Sequence, residues 1–392
     1  MSEASKPAGR EKKAPPAKAS TGGAKRKQVR YAVIGQGYIS QVAVLPAFAH
    51  ASKNTRLAAL ISDDPVKLEA LSATYGVERT GGYEDYDALL ASGEIDAVYI
   101  ALPNHMHLDY TVRAARAGIH VLCEKPMAVT ERECEKMIAE CEKQRVKLMI
   151  AYRLHFERAN LTAIETLKAG KIGTPRIFNA LFTMQVADED NIRLRQETGG
   201  GTLYDIGVYC INAARYLFGD EPTEVFAATA NNGEERFSQV EEMSSAVMRF
   251  PGDRIATFTC SFGTARSSSY EVVGTEGLLR ASPAFGYAED LKHTLTIDGK
   301  TRERVFPQRD QFAAELLYFS DCIRNDQQPE PSGREGLIDV AIVNALYRSA
   351  KTARVVKLPP FQKDARPAME QEVSRPAVKK PKLVRVSSPS RK

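Results

Sequence analysis

The sequence predicts an α/β fold in two parts: a doubly wound parallel sheet, then an α+β domain on a large, mostly antiparallel open sheet. Three observations carry this. At 392 residues the chain exceeds what one hydrophobic core ordinarily organises. Between residues 30 and 152, short apolar runs alternate with amphipathic stretches. From residue 153 to about 360, strand-like alternation broken by turns prevails, before a last helix with an apolar face.

The runs "YAVIG" (31–35), "LAALIS" (57–62), "AVYIAL" (97–102), "HVLCE" (120–124) and "KLMIAY" (147–152) are apolar almost throughout. That suits strands covered on both faces, as in a parallel sheet. The helices between them have readable ends. Asp63-Asp64-Pro65 offers a cap and a first-turn proline, Gly118 stops the stretch after Asn104, and Thr130-Glu131-Arg132-Glu133 reads as a capping box. In that last helix Cys134, Met137, Ile138 and Cys141 recur at helical spacing, which puts both cysteines on its core face. The second part opens with a helix through "RANLTAIETLKAG" (158–170). Strand candidates follow at 176–184, 223–230, 244–250, 255–262 and 269–274, and turns such as "FPGDR" make them antiparallel. The helix "GLIDVAIVNALYRSA" (336–350) closes it. An open sheet of this size calls for cover, which predicts a homo-oligomer, dimer or tetramer, assembled through that sheet.

A composition of 43% apolar and 26% charged residues is that of a globular protein. No apolar run approaches the roughly 18–20 residues of a membrane span, so no membrane partner is expected. Residues 1–30 hold nine Lys/Arg against two acids and residues 363–392 nine against three, so the net +5 divides into +7 and +6 at the ends and −8 in the body. The ends, rich in Ala, Pro, Ser and Lys, are expected to be disordered basic tails over 1–29 and 361–392. Solubilising termini, or an arm on a neighbouring subunit, is the favoured role. Without aromatic residues for base stacking, nucleic acid is not an expected partner. The first thirty residues lack the apolar core of a secretory signal, and six scattered cysteines without a C-x-x-C pair point to reduced thiols; together these predict a cytoplasmic setting.

The first strand closes on Gly35-Gln36-Gly37-Tyr38-Ile39-Ser40. In a βαβ unit Gly35 permits the tight turn, Gly37 lets the backbone approach a pyrophosphate, and the helix beginning at Tyr38 supplies free N–H groups and a positive dipole end. The third glycine of such a turn serves close packing, for which Ser40 is small enough. The first domain, 30–152, is therefore expected to be a Rossmann dinucleotide-binding domain with its ligand beyond the carboxyl ends of the strands. An NAD site usually places an acid at the end of the second strand, whereas an NADP site needs room and positive charge. Here Ser62 takes the acid's position and Lys67 can return toward it from the next helix, which favours NADP over NAD. Asp63 and Asp64 would repel a phosphate they faced. Helix capping is their favoured role, and a ribose-binding Asp63 is the alternative.

Together "ALPNHMH" (101–107), "AGIHVLCEKPMA" (117–128), "KLMIAYRLHF" (147–156) and "GGGTLYDIGVYCINAARYLFG" (199–219) resemble the Gfo/Idh/MocA oxidoreductases, and among them the glucose–fructose oxidoreductase branch. The resemblance runs from about residue 30 to 355. It implies a Rossmann domain, then an α+β substrate and oligomerisation domain over 153–360, and hydride exchange between a nicotinamide and a sugar or sugar-like alcohol or carbonyl. It implies Lys125 as the substrate-orienting lysine, with Asp205 and Tyr209 of "DIGVY" as the catalytic residues of the second domain. The candidate cofactor contacts are Gly35, Gly37, Tyr38, Ile39, Ser62, Lys67, Pro103, Asn104, His107, Glu124, Lys125, Arg153 and Arg193. Two departures stand out. Members of that branch are exported behind a twin-arginine signal that this sequence does not show, and Asp63 and Asp64 replace smaller or uncharged residues.

The residues suit the chemistry. Oxidising an alcohol sends a hydride to the cofactor and a proton to the protein. A tyrosine ionises near pH 10, about three units above neutrality, but an ammonium beside it favours the phenolate, and Lys125 can supply one. On a helix Asp205 and Tyr209 stand four apart and share a face. Gly207 between them weakens a helix, which makes sense where a cofactor or strand approaches closely. No metal is expected: His105 and His107 do not share a helix face, and neither Cys nor carboxylate completes a site. A cyclitol, dihydrodiol or anhydro sugar remains the alternative substrate, and a non-catalytic nucleotide-sensing protein the alternative of another class.

Overall fold

Six short strands pair in parallel in the order β3-β2-β1-β4-β5-β6. They are β1 (Val29–Ile34), β2 (Thr55–Ile61), β3 (Arg79–Gly81), β4 (Ala97–Ile100), β5 (His120–Cys123) and β6 (Leu148–Ile150). Helices α1 (Leu45–Ala51), α2 (Pro65–Tyr75), α3 (Tyr86–Ala91), α4 (His107–Arg116) and α5 (Glu131–Gln144) make the crossovers. The strand order reverses between β1 and β4, so the loops leaving their carboxyl ends part there and open a crevice. All of β4, and Tyr31 to Ile34 of β1, are buried, as strands apolar on both faces should be. The capping box forms, Thr130 accepting from Glu133 N while the Glu133 carboxylate accepts from Thr130 N. Cys134, Met137 and Cys141 are buried, and all six cysteines are free.

The computed structural model describes residues 28–361, 363 and 365–390. The tail expected over 1–29 thus lies outside the described residues, except for Gln28 and Val29, the latter already within β1.

After α6 (Arg158–Lys168), capped by the Glu157 carboxylate, the second sheet begins. Its strands are β7 (Pro175–Gln185), β8 (Glu224–Ala230), β9 (Met243–Phe250), β10 (Arg254–Ser261), β11 (Gly263–Gly274), β12 (Gly277–Ala281), β13 (Leu291–Ile297), β14 (Lys300–Phe306) and β15 (Val356–Lys357). They lie in the order β14-β13-β12-β11-β7-β10-β9-β8-β15. The sheet is mostly antiparallel, as the sequence predicts; the exception among the described strands is that β7 and β10, both strand candidates, run parallel. These neighbours are joined by a long crossover through α7 (Val208–Phe218), β8 and β9 rather than by a hairpin. One face of the sheet packs on α7 through Phe178, Phe218, Phe250 and Phe258.

The last two long helices return to the first sheet. Phe312, Leu316 and Phe319 of α8 (Gln311–Asn325) share a core with Val33, Val44 and Phe48, and Asn54 Nδ2 donates to Leu317 O at 2.9 Å. On the opposite face Val340 of α9 (Gly333–Thr352) packs among Ile100, Met127 and Met137. In space, the division expected near residue 152 is therefore crossed twice.

The expectation of a disordered tail over 361–392 does not match the path of its described residues. Lys363 is buried between Glu335 and Glu330, Arg366 Nη2 donates to Glu221 at 3.1 Å, and Arg375 Nε donates to His50 O at 3.2 Å. Val373 and Val384 pack on the core beneath α1. The segment has too few apolar residues to fold alone, but an acidic body gives its cations partners.

Candidate active site

The turn after β1 is shaped for a dinucleotide. Gly35 has φ 91°, and a Cβ there would fall 2.6 Å from Ala101 O. Only glycine fits. A Cβ on Gly37 would meet nothing within 4 Å, which leaves the space through which a pyrophosphate approaches the backbone. Ser40 is fully buried and its hydroxyl donates to Gly35 O at 2.6 Å, so the residue replacing the third glycine ties the turn together. From Ser40 a π-type turn runs into α1.

At the end of β2, Ser62 is 2% exposed and its hydroxyl accepts from Asp64 N at 3.2 Å. Asp64 caps α2, accepting from Val66 N and Lys67 N at 3.0 and 3.2 Å. The capping expected of both aspartates thus belongs to Asp64 alone; Asp63 accepts from the Ser62 hydroxyl at 3.4 Å. Lys67 stands in the first turn of α2.

Beyond β4, Pro103 leads into a single 3-10 turn at Asn104–Met106, and Asn104 Nδ2 donates to Gly199 O at 2.8 Å, tying this loop to the "GGG" stretch. His107 was expected to contact the cofactor. It is fully buried, with Nδ1 3.0 Å from Pro126 O and Nε2 2.9 Å from Leu102 O, so it braces the two loops that flank the crevice. Burial holds its pKa below the ordinary value. Beyond β5, the Glu124 carboxylate accepts from Tyr99 OH at 2.8 Å and from Lys125 N at 3.2 Å. Burial pushes that carboxyl up, against the pull of Lys125.

Lys125, from the first sheet, and "DIGVY", from the second domain, meet across this loop. Lys125 Nζ donates to Asp205 O at 2.7 Å, lies 3.5 Å from Asp205 Oδ1, and stands 4.6 Å from the centroid of the Tyr209 ring. Arg193 Nε donates to Asp205 Oδ2 at 2.6 Å. Burial opposes the Asp205 charge, but Arg193 and Lys125 outweigh it and hold the carboxyl below its usual range. The Arg153 guanidinium, 5.0 Å from the Tyr209 centroid, is a second cation over the same ring. A face-on cation is worth about 0.5–2 kcal/mol, so the two fix the ring as well as charge its surroundings. Asp205 sits in a π-type turn (Leu203–Gly207) that continues into α7, and a Cβ on Gly207 would come 3.4 Å from Cys260 Sγ of β10. The tightest neighbour of such a Cβ would be Leu203 Cδ2 of the same turn, at 3.1 Å, while the strand lies at ordinary van der Waals distance. A small cavity lined by Lys125, Tyr152, Leu154, Val208, Tyr209 and Asn212 opens at the junction.

Arg153 thus stands over the Tyr209 ring, and Arg193 pairs with Asp205. Several neighbours escape sequence reasoning. Arg153 is 4% exposed and is held by Phe285 O, at 2.6 Å from Nη2, and by the Gln311 side chain. The Tyr287 ring lies 5.3 Å from the same guanidinium. These residues come from the stretch before β13 and the start of α8, where no motif marks them. Asn212, three residues after Tyr209, is the exception: on a mostly apolar helix it and Arg215 stand out as polar residues, which is a readable signal.

A glycine turn opening a βαβ unit, and a lysine, a tyrosine and an aspartate converging from two domains, define a nicotinamide-dependent oxidoreductase. The chain belongs to the GFO/IDH/MocA oxidoreductases. Residues 29–152 match that family's NAD-binding Rossmann fold and residues 160–280 a GFO/IDH/MocA C-terminal domain. D-xylose 1-dehydrogenase [NADP(+)] of Haloarcula marismortui is 35% identical over 84% of this chain and 93% of its own. The structure of aldose-aldose oxidoreductase from Caulobacter crescentus, complexed with glycerol, has 36% identity and a TM-score of 0.81, covering 84% of this chain and all of that one. A 3-ketoreductase from Actinomadura kijaniata, in complex with NADP and TDP-benzene, superposes with a TM-score of 0.76 at 28% identity over 82% of this chain and 98% of its own. Among the described residues no helix is long and apolar enough to cross a membrane.

Proposed function

We propose that the protein is an NADP-dependent oxidoreductase acting on a CH–OH or C=O group of a sugar or sugar-like compound. The observation that carries this is the meeting of the Lys125 ammonium with Asp205 and the Tyr209 ring at the junction of the two domains. NADP is supported by Ser62 and Lys67 at the end of β2, and by the cofactors named for the D-xylose dehydrogenase and the 3-ketoreductase. When bound, the nicotinamide supplies the hydride acceptor or donor. The Tyr209 hydroxyl exchanges a proton with the substrate oxygen. Lys125 polarises that oxygen, and its contact with Asp205 O fixes where the ammonium points. Asp205, anchored by Arg193, accepts from a neighbouring substrate hydroxyl. Residues 30–152 bind the nucleotide, and 153–360 shape the substrate site.

The same reading includes a homo-oligomer. On the outer face of the second sheet Ile177, Leu181, Phe226 and Val247 are 38–44% exposed, and Phe226 pairs directly with Val247. A second copy would cover this row. Six buried free thiols accord with a reducing, cytoplasmic setting.

The test is a panel of aldoses and ketoses with NADP+ or NADPH, run on wild type and on Tyr209→Phe. Turnover of at least one sugar, lost about 100-fold or more in the variant while NADP+ still binds, is expected. A variant as fast as wild type on every sugar overturns the assignment of the proton to Tyr209.

A further inference from the structure

The end of β2 poses a problem for a phosphate. Ser62 is followed by Asp63 and Asp64, and a like charge within about 4–6 Å disfavours the charged form of either group. The C-terminal segment brings the missing positive charge. Gln41, one turn after the glycine loop and 1% exposed, commits its carboxamide to that segment: Val384 N donates to Oε1 at 2.7 Å, and Nε2 donates to Val384 O at 3.0 Å. The same Nε2 reaches Gln36 O at 3.0 Å, inside the glycine turn. Val384 therefore sits against the nucleotide loop itself. The chain then turns at Arg385 with φ 48°, a left-handed conformation that residues other than glycine seldom adopt. Its Nη1 lies 3.4 Å from Asp64 Oδ1. Five residues on, Ser390 pairs with Val186, just past β7. The segment is fastened at two places, at the start of the first domain's helical turn and just past β7 of the second sheet.

Among the described residues Asp64 is the only polar partner of the Arg385 guanidinium, and the side chain is 62% exposed. Most of its five N–H donors face open space at the end of β2, where this fold seats the ribose of a dinucleotide. A guanidinium can bridge a carboxylate and a phosphate with separate edges of its fork.

We propose that residues 384–390 form a strap over the adenosine half of the cofactor site, and that Arg385 sets the choice of NADP over NAD by pairing with the 2′-phosphate while neutralising Asp64. This rests on the NADP reading above.

The experiment uses the full chain stripped of nucleotide, with Arg385→Ala, Arg385→Lys and a chain ending at Leu383. Calorimetric titration with NADP+, NAD+ and 2′,5′-ADP reads binding without turnover. Arg385→Ala should weaken NADP+ and 2′,5′-ADP about 10- to 100-fold and leave NAD+ within about twofold, with lysine restoring part of the loss. The chain ending at Leu383 should lose at least as much. Equal weakening of NADP+ and NAD+, or none, overturns the assignment. A wild type that prefers NAD+ removes the NADP reading and the strap's role together; a wild type that prefers NADP+, with the ratio unchanged in Arg385→Ala, removes the strap's role alone.

Discussion

At one end of the crevice Lys125, Arg153, Arg193, Asp205 and Tyr209 arrive from four separate stretches of chain, and their charges are buried or half-buried against named partners. At the other end Ser62, Asp63, Asp64 and Lys67 arrive within six residues of one turn, and only Ser62 is buried. The first arrangement needs the whole fold to exist, and each charge depends on its neighbours for solvation. The second needs only a turn, and water stands in for any partner removed. Substitutions at the Lys125 end should therefore act as losses of function or stability, and those at the Ser62 end as adjustments of preference.

Lys125→Ala is the largest test of that contrast. It removes the ammonium from the Tyr209 ring and from Asp205 O together, and kcat/KM for the preferred sugar should fall about 10³- to 10⁴-fold, some 4–5.5 kcal/mol of transition-state stabilisation. Steady-state kinetics with a parallel NADP+ titration checks it. A loss confined to KM, with kcat intact, would move Lys125 from chemistry to substrate binding.

The rigidity of that end has its own foundation. Tyr209 rides on α7 with Arg215, whose guanidinium is 1% exposed and pairs with Glu335 at 2.8 Å as well as with Glu221 and Asp339. Arg215→Ala takes the paired cation from buried Asp339 and leaves Glu335 to Lys363 and Glu221 to Arg366; breaking such a buried network typically costs about 3–5 kcal/mol. A fall in melting temperature of roughly 10 °C is expected, measured by circular dichroism. A fall of only a degree or two would show that Lys363 and water can carry those carboxylates.

Much of this was legible, and the boundary of legibility follows the same contrast. Five of the six parallel strands show as apolar runs because burial on both faces demands it, whereas β3, three residues long and exposed or half-buried at the sheet edge, gives no such run; the glycine turn shows because its conformation admits no other residue at Gly35. Lys125, Asp205 and Tyr209 were reached through motifs that fix them in local sequence. Their meeting is expected from the chemistry, since a phenolate calls for a cation beside it, but its geometry depends on how two domains dock. Strand β14 escaped because it is charged and exposed along most of its length, with no alternation to read. Helix α8 carries a signal of its own, Asp310 as a cap before Phe312, Leu316 and Phe319 at helical spacing. The C-terminal segment misled for a physical reason: low apolar content argues against folding alone, but says nothing against docking by charge on a body of opposite sign. The split of +6 and −8 was already in the composition.

Glu315 tests whether every charge at the buried end is of use. It lies on α8, fully buried near Glu124 and Arg153, and among the described residues neither carboxyl oxygen has a hydrogen-bond partner. Burial, and then Glu124, push its carboxyl well above the ordinary 4.5. A raised carboxyl favours the folded state below the unfolded value, and that advantage is lost as pH rises toward the folded one. Stability should therefore decline from about pH 4.5 upward. Glu315→Gln keeps the shape without the proton, and should gain about 1–3 kcal/mol near pH 8 and almost nothing near pH 4. Melting curves at both values decide. A loss at pH 8 would mean that the carboxylate has a partner when cofactor or substrate is bound.

The smallest effect belongs to the exposed end. Asp64→Asn keeps a good cap for α2, because the amide oxygen can still accept from Val66 N and Lys67 N. It removes the negative charge 3.4 Å from Arg385. If that charge opposes a phosphate, the variant should bind NADP+ about two- to fivefold more tightly, with NAD+ unchanged and the melting temperature held within about a degree. The gain should shrink as salt is raised, since a half-buried pair at this end is screened. Tighter binding of both cofactors alike would place Asp64 against the pyrophosphate rather than the ribose. Weaker NADP+ binding would mean that the carboxylate holds Arg385 in place more than it repels the ligand, and Asp64 would then join the partnered charges at the other end of the crevice.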